Sequence, residues 1–331
     1  MIKSLADTQV LVTGAGGFIG SHLVEALVEE GARVRGLVQY NSRNDWGQLE
    51  HLPPDVLSKV DVQAGNIRDP FFVERITEGT ETIFHLAALI PIPYSYVAPS
   101  EFVETNVTGT LNVLEAARKH GVKRILHTST SETYGTAQYT PIDEAHPLQG
   151  QSPYSASKIG ADKMAESYWR SFSLPVVTIR PFNTFGPRQS ARAFLPTVLT
   201  QIFTSDVVRV GSLDPIRDMN YVENIVHGFL LAATASDVDG LTFNLGSGIG
   251  VSMQELLDIA LAVTGKNPRI ETDPARVRPE KSEVMELICD ATVAQEKLGW
   301  VSRISLEDGV KATANWIADH LQDYKPHLYN V

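Results

Sequence analysis

The 331-residue sequence predicts an α/β protein, a doubly wound parallel sheet carrying a smaller α/β lobe. Three observations lead there. Strands and helices alternate through the first 180 residues. A glycine-rich turn joins the first strand to the first helix. After Arg180 the rhythm loosens, and Pro181, Gly186, Pro187, Pro196, Gly211 and Pro215 punctuate short elements.

Val10-Leu11-Val12 is a β-branched run that ends in glycines. Ile19 to Glu30 has apolar residues at helical spacing (Ile19, Leu23, Leu27), Gly31 stops that helix, and Val34 to Val38 is the next strand. Strands follow at 60–62, 82–85, 124–127 and 176–179. Helices are expected at 70–78, 100–120 and 152–173. Alternation of this kind requires parallel strands joined by helical crossovers. The second half carries helices at 193–204 and 253–264 among short strands, and the stretch from Tyr221 to Leu245 is expected to return to the main sheet. The expected division is residues 1–180 with 218–246 for one domain and 181–217 with 247–331 for the other.

Bulk properties exclude some functions. Apolar residues make up 43% and charged residues 20%, and the net charge is −11. An acidic surface argues against nucleic-acid and anionic-membrane partners, which need basic patches. The single cysteine, Cys289, forms no internal disulfide and no cysteine metal site, which fits a reducing cytoplasm. The N-terminal residues lead into a strand without a signal-peptide core, and the longest apolar run is too short for a bilayer. The nine histidines show no HExxH or paired spacing, so no metal is expected.

The turn Thr13-Gly14-Ala15-Gly16-Gly17-Phe18-Ile19-Gly20 is built to cradle a dinucleotide pyrophosphate. Glycines 14, 17 and 20 permit the tight turn, the backbone approach and the helix–strand contact, and the helix start offers free N–H groups. The strand-then-helix context makes the motif informative. The second strand ends at Gln39 with no carboxylate before Asp45, and Arg43 lies nearby, so NAD and NADP both stay open.

Tyr154 and Lys158 stand one helical turn apart on one face. A neighbouring ammonium favours a phenolate, so the pair reads as a tyrosine base with its activator. Ser129 and Thr130 end the preceding strand at its carboxyl edge, where such sheets bind ligands. With these motifs, and with His85-Leu86-Ala87-Ala88, Asn106 with Gly109-Thr110, and Arg180-Pro181-Phe182-Asn183, the chain resembles the extended short-chain dehydrogenase/reductase family over nearly its whole length. The resemblance implies a Rossmann-type NAD(P) domain and a nucleotide-sugar substrate. It implies Tyr154 as base, Lys158 on the nicotinamide ribose and Thr130 on the sugar hydroxyl. It assigns cofactor contacts to Gly14, Gly17, Phe18, Ile19, Gly20, Gln39, Asn66, Ile67, Leu86, Ala87, Ala88, Asn106, Ser129, Tyr154 and Lys158. Asn66 departs from the family's usual aspartate.

Members share oxidation at the sugar C4 and differ afterwards. Elimination across C5–C6 needs an acid and a base. Thr130-Ser131-Glu132 supplies a carboxylate where simple epimerases carry a small residue, which puts Ser131 and Glu132 among the catalytic candidates. UDP-glucuronate decarboxylases share the triplet. Residues 40–42, 86–96, 186–193 and 278–284 resemble the 4,6-dehydratases of the legionaminic-acid pathway, which act on GDP- or UDP-N-acetylglucosamine. The resemblance also implies that Asn183 and Arg217 contact the substrate diphosphate. Arg188 and Arg278 are further candidates for it, guanidinium forks being suited to that task, while Arg188 and Arg192 are the cations a decarboxylase would need for its substrate's carboxylate. Helices 100–120 and 152–173 are expected to pair with their copies in a homodimer. A 4-epimerase, a decarboxylase and a non-enzymatic dinucleotide sensor are the alternatives. The sensor predicts loss of the Tyr/Lys pair, and both residues are present.

Overall fold

The computed structural model describes residues 4–276 and 284–325. Seven parallel strands form the central sheet: β1 Gln9–Thr13, β2 Arg33–Gln39, β3 Val60–Gly65, β4 Thr82–His85, β5 Arg124–Thr128, β6 Val176–Pro181 and, after three strands of the smaller lobe, β10 Thr242–Leu245. Their spatial order is β10-β6-β5-β4-β1-β2-β3. Strand order reverses between β1 and β4, which opens a crevice at the carboxyl ends of the strands.

The smaller lobe contains β7 Asn183–Phe185, β8 Val207–Val210, β9 Ile216–Tyr221, β11 Gly250–Ser252, β12 Arg269–Thr272 and β13 Glu286–Leu287. β9 is its hub, antiparallel to β11 and parallel to β7 and β13, while β8 pairs with β12. The returning segment therefore starts inside a small-lobe strand. The part that reaches the main sheet is β10, reached through helix Val222–Thr234. One apolar cluster runs from Leu23 and Leu27 of the first helix through Phe229 and Phe243 to Leu256 and Ile317, so the lobes share a core. A second cluster fills the opposite face with Leu11, Val73, Ile83, Leu114 and Ile125.

The helix expected over 100–120 is not a single regular rod. It opens as a short turn at Pro99–Phe102, widens into a π-helical turn at Val103–Thr108 and continues as an α-helix at Gly109–His120. Such turns put an extra residue into the backbone ring and re-aim a side chain. Here the buried Asn106 is re-aimed. Its Oδ1 accepts from the Leu89 N–H at 2.8 Å, and its Nδ2 donates to the Leu89 carbonyl and to Ser157 Oγ, each at 2.9 Å. No helix among the described residues is long and apolar enough to cross a membrane.

Candidate active site

A cleft of about 810 Å³ lies along the carboxyl ends of the main-sheet strands. The glycine turn forms one end. Helix Phe18–Glu29 begins at Gly17 with no side-chain cap, so its first N–H groups have no side-chain partner there. Gly14 adopts φ +74°, and a side chain on Gly20 would approach the Gly14 carbonyl to 2.1 Å. The turn is thus closed to side chains, and an uncapped helix start suits a pyrophosphate. Gly14, Gly17, Phe18, Ile19, Gly20, Gln39, Asn66, Ile67, Leu86, Ala87 and Ala88 all line the cleft, as do Arg43, Asp45 and Trp46. Asp45 is already engaged, its Oδ1 accepting from the Gly47 N–H at 2.8 Å.

The wall formed by Leu86 to Leu89 is pinned from behind. Thr13 Oγ1 accepts from the Ala87 N–H (3.2 Å) and pairs with His85 Nδ1 (2.8 Å), and His85 Nε2 pairs with Thr110 Oγ1 (3.0 Å). Thr110 Oγ1 donates to the Asn106 carbonyl at 2.6 Å, so His85 carries its proton on Nε2 and Thr13 donates to Nδ1. Burial, then the charges of His127 and Lys158, hold the His85 imidazole far below its ordinary value, as this neutral tautomer requires. Asn106, expected to touch the cofactor, is absent from the cleft lining. It acts on the wall through Leu89, because both its side-chain polar atoms are spent on Leu89 and Ser157.

The chemical end holds Thr128, Ser129, Thr130, Ser131, Glu132, Tyr154 and Lys158. Helix Pro153–Phe172 starts in a reciprocal cap: Ser152 Oγ accepts from the Ser155 N–H (3.1 Å), and Ser155 Oγ accepts from the Ser152 N–H (3.0 Å). Pro153 at the first helical position completes that start. Tyr154 and Lys158 are thereby set on the first two turns. Thr130 caps the short turn Ser131–Tyr134 by accepting from the Glu132 N–H at 3.3 Å, which holds Glu132 beside the tyrosine.

The charges differ from the simple activated-tyrosine picture. Lys158 Nζ donates to the Thr128 carbonyl at 2.7 Å. Burial draws its pKa down to about 8, opposed by the charge of Asp162. Tyr154 is pushed up from its ordinary value by burial and by the charges of Glu132 and Asp162, against a hydrogen bond with Thr130. The expected lowering of the phenol by Lys158 is not among the effects on it; desolvation and two nearby carboxylates raise it instead.

The substrate arginines divide. Asn183 and Arg192 line the cleft, and Asn183 Oδ1 is buried without a hydrogen-bond partner. Gln189, which the sequence reading missed, also lines it with an unpartnered Oε1. Arg188 is not among the cleft-lining residues, and its Nε and Nη1 are buried without a hydrogen-bond partner. It is 7% exposed, takes a left-handed backbone (φ +65°), and its Nη2 bonds His22 Nδ1 and Glu25 of the first helix. Burial and then the Arg188 charge pull His22 down to about 3, so Arg188 faces a neutral acceptor and a carboxylate behind the cleft. Arg217 is buried on β9, donates to its own Ile216 carbonyl at 3.0 Å and is not among the cleft-lining residues. Arg278 lies outside the described residues. No group of three or more histidine, cysteine or acidic side chains suited to a metal occurs among the described residues.

The family model described as GDP-mannose 4,6 dehydratase matches residues 11–313. The chain belongs to this family. A dTDP-glucose 4,6-dehydratase of an Actinoplanes species is 32% identical over 93% of this chain and 97% of its own length. A UDP-glucose 4-epimerase of Halalkalibacterium halodurans is 31% identical over 97% and 98%. Among solved structures, the dTDP-glucose 4,6-dehydratase of Streptomyces venezuelae, a double mutant with NAD bound, superposes at TM-score 0.86 with 28% identity, covering 96% of this chain and 99% of its own. The UDP-glucose 4-epimerase of Thermotoga maritima with UDP-glucose reaches 0.85 at 31% identity, over 95% and 100%. The chain is thus an enzyme-family member of the nucleotide-sugar dehydratase and epimerase group, on the Rossmann-type fold that those structures share.

Proposed function

We propose that the protein is an NAD-dependent nucleotide-sugar 4,6-dehydratase whose substrate is GDP- or UDP-N-acetylglucosamine. One observation carries the reaction type: the Glu132 carboxylate lines the same cleft as Tyr154 and Lys158, close enough for its charge to act on the phenol. The adenosine end, with Gln39 at the strand terminus and Asp45 engaged by Gly47, supports NAD through the relatives solved with it more than through its own side chains. Bound NAD supplies a hydride acceptor and later a hydride donor.

The chain's own residues do the rest. Tyr154, hydrogen-bonded to Thr130, takes the proton of the sugar 4-hydroxyl, and Lys158 steadies the ribose side of the site. Carbonyl formation at C4 acidifies the C5 hydrogen. Glu132 takes the C5 proton and passes it to the C6 hydroxyl, which leaves as water, with Ser131 beside it as a hydroxyl partner. Arg192 and Asn183 are the cleft's diphosphate contacts among the described residues. The lobe division proposed is residues 1–180 with 218–246 for cofactor, and 181–217 with 247–331 for substrate. A homodimer in the cytoplasm fits the lone buried thiol and the exposed apolar side chains of the long-helix region.

A 4-epimerase is the second reading, favoured by relatives of that name at similar identity. Mass spectrometry after incubation with each N-acetylglucosamine nucleotide decides. A product lighter by one water is the expected result. An isomer of unchanged mass sinks the dehydratase reading. Glu132→Gln should keep cofactor affinity while water loss slows by about 10²–10⁴-fold. Unchanged turnover would remove Glu132 from the chemistry.

A further inference from the structure

Beneath the Tyr154–Lys158 pair, on the same helix and one turn further on, sits Asp162, only 5% exposed. Positions 154, 158 and 162 are successive four-residue steps, so the three side chains run down one face. The Asp162 carboxylate collects three donors from the ends of two strands, β5 and β6. Ser129 Oγ donates to Oδ2 at 2.6 Å, Arg180 Nη2 to Oδ2 at 2.9 Å, and His127 Nε2 pairs with Oδ1 at 3.0 Å. Arg180 continues the network to Tyr134 Oη at 2.9 Å, which donates to Asn244 Oδ1 at 2.7 Å. The carboxylate thus ties together β5, β6, β10 and the catalytic helix directly below the chemistry.

We propose that Asp162 is a positioning residue that fixes the floor of the site and places a buried carboxylate one helical turn below the Lys158 ammonium. The groups facing Lys158 make this its role. Tyr154 and Asp162 come from its own helix, the Thr128 carbonyl and His127 from β5, His85 from β4, and Arg180 lies across on β6. Burial first shifts His85 and His127 toward the neutral form, and Arg180 is cationic, so none of the three favours a second charge at Lys158. Burial alone would protonate Asp162. The bond from His127 and the charge of Arg180 overcome it and hold the carboxyl well below the usual range. A permanently ionised group under a buried ammonium is a charge-maintaining arrangement. A neutral amine also donates hydrogen bonds, but charged donors bind a ligand hydroxyl about twice as strongly.

This inference rests on the reading of Lys158 as a cofactor-ribose contact, and it is testable without the dehydratase reaction. The readout is NAD affinity of the stripped protein, titrated directly from pH 6 to 10. The Lys158 pKa is lowered by burial, so the ammonium is present below about pH 8 and lost above it. Wild-type affinity should fall as pH rises through that point. In Asp162→Asn the break should move down by about one pH unit or more, while Asp162→Glu should restore it toward wild type. Should the single variant fail to fold because Arg180 loses its carboxylate partner, Asp162→Asn with Arg180→Met removes both charges together and should show a smaller downward move, because a cation is lost with the anion. A break that stays put in the folded variants overturns the proposal, as does a pH-independent wild-type affinity. Product mass, measured separately, tests the dehydratase reading alone.

Discussion

Tyr154, the proposed base, is one that the protein by itself makes reluctant. Its phenol is buried, touched edge-on by Phe102 at a ring separation of 6.3 Å, and faces negative charge from Glu132. Ionisation in such a place must coincide with the arrival of positive charge or with transfer of the substrate proton, since an isolated buried phenolate is costly. The hydroxyl is therefore needed as a relay, and Phe cannot replace it. In Tyr154→Phe, C4 oxidation followed by reduced-cofactor absorbance in a single turnover should slow by about 10²–10⁴-fold, with NAD affinity unchanged. A rate within threefold of wild type would take the proton transfer away from Tyr154. The candidates for this relay were legible because chemistry and spacing coincide: Tyr154 and Lys158 sit on the first turns of a helix, and Thr130 follows the carboxyl end of β5. Asp162 obeys the same spacing, yet a lone aspartate on a helix carries no signal until Ser129, His127 and Arg180 are brought to it from other strands. Arg188 misled for the opposite reason. An arginine in a glycine-proline loop looks like an anion contact, and nothing local reveals that Glu25, 163 residues away, claims it.

At the scale of elements, alternation and glycine placement made the seven-stranded sheet legible, because a buried parallel sheet forces long apolar strands and amphipathic crossovers. The π-helical turn at Val103–Thr108 was hidden, since its cause is the fit of Asn106 onto the Leu89 backbone, a contact 17 residues away. That turn and the glycine turn act on the cleft in different ways. The glycine turn excludes side chains, whereas the π turn holds the opposite wall. Gly20→Ala tests the first. Its methyl would meet the Gly14 carbonyl at 2.1 Å, which is rigid backbone, so the turn must open. We expect about 1–3 kcal/mol of lost stability in denaturant titration and weaker NAD binding in calorimetry. Wild-type values for both would mean that the close approach of Gly14 and Gly20 is not what shapes the cradle.

For the whole molecule, the smaller lobe was the least legible part. Its strands are short and pair out of sequence order around β9, and its attachment depends on single polar hubs. Asn224 is one: its Oδ1 accepts from the Arg303 and Ile304 N–H groups, and its carbonyl accepts from Trp300 Nε1 at 2.8 Å. No periodicity announces such a hub, whereas the repetitive crossovers of the first half announce themselves. The same contrast bears on the proposed dimer. Val97 and Val103 are 73% and 53% exposed beside the long helices. Apolar side chains this open are covered when two copies of the region meet, and a carboxylate placed there would have to be desolvated in the interface. Light scattering coupled to size exclusion should give the mass of two chains for wild type and move toward one for Val103→Asp, with the circular dichroism spectrum retained. A wild-type mass of one chain would end the dimer proposal. A Val103→Asp variant that stays dimeric would move the interface away from the π-helical turn, and the long helices would then be covered by nothing but solvent.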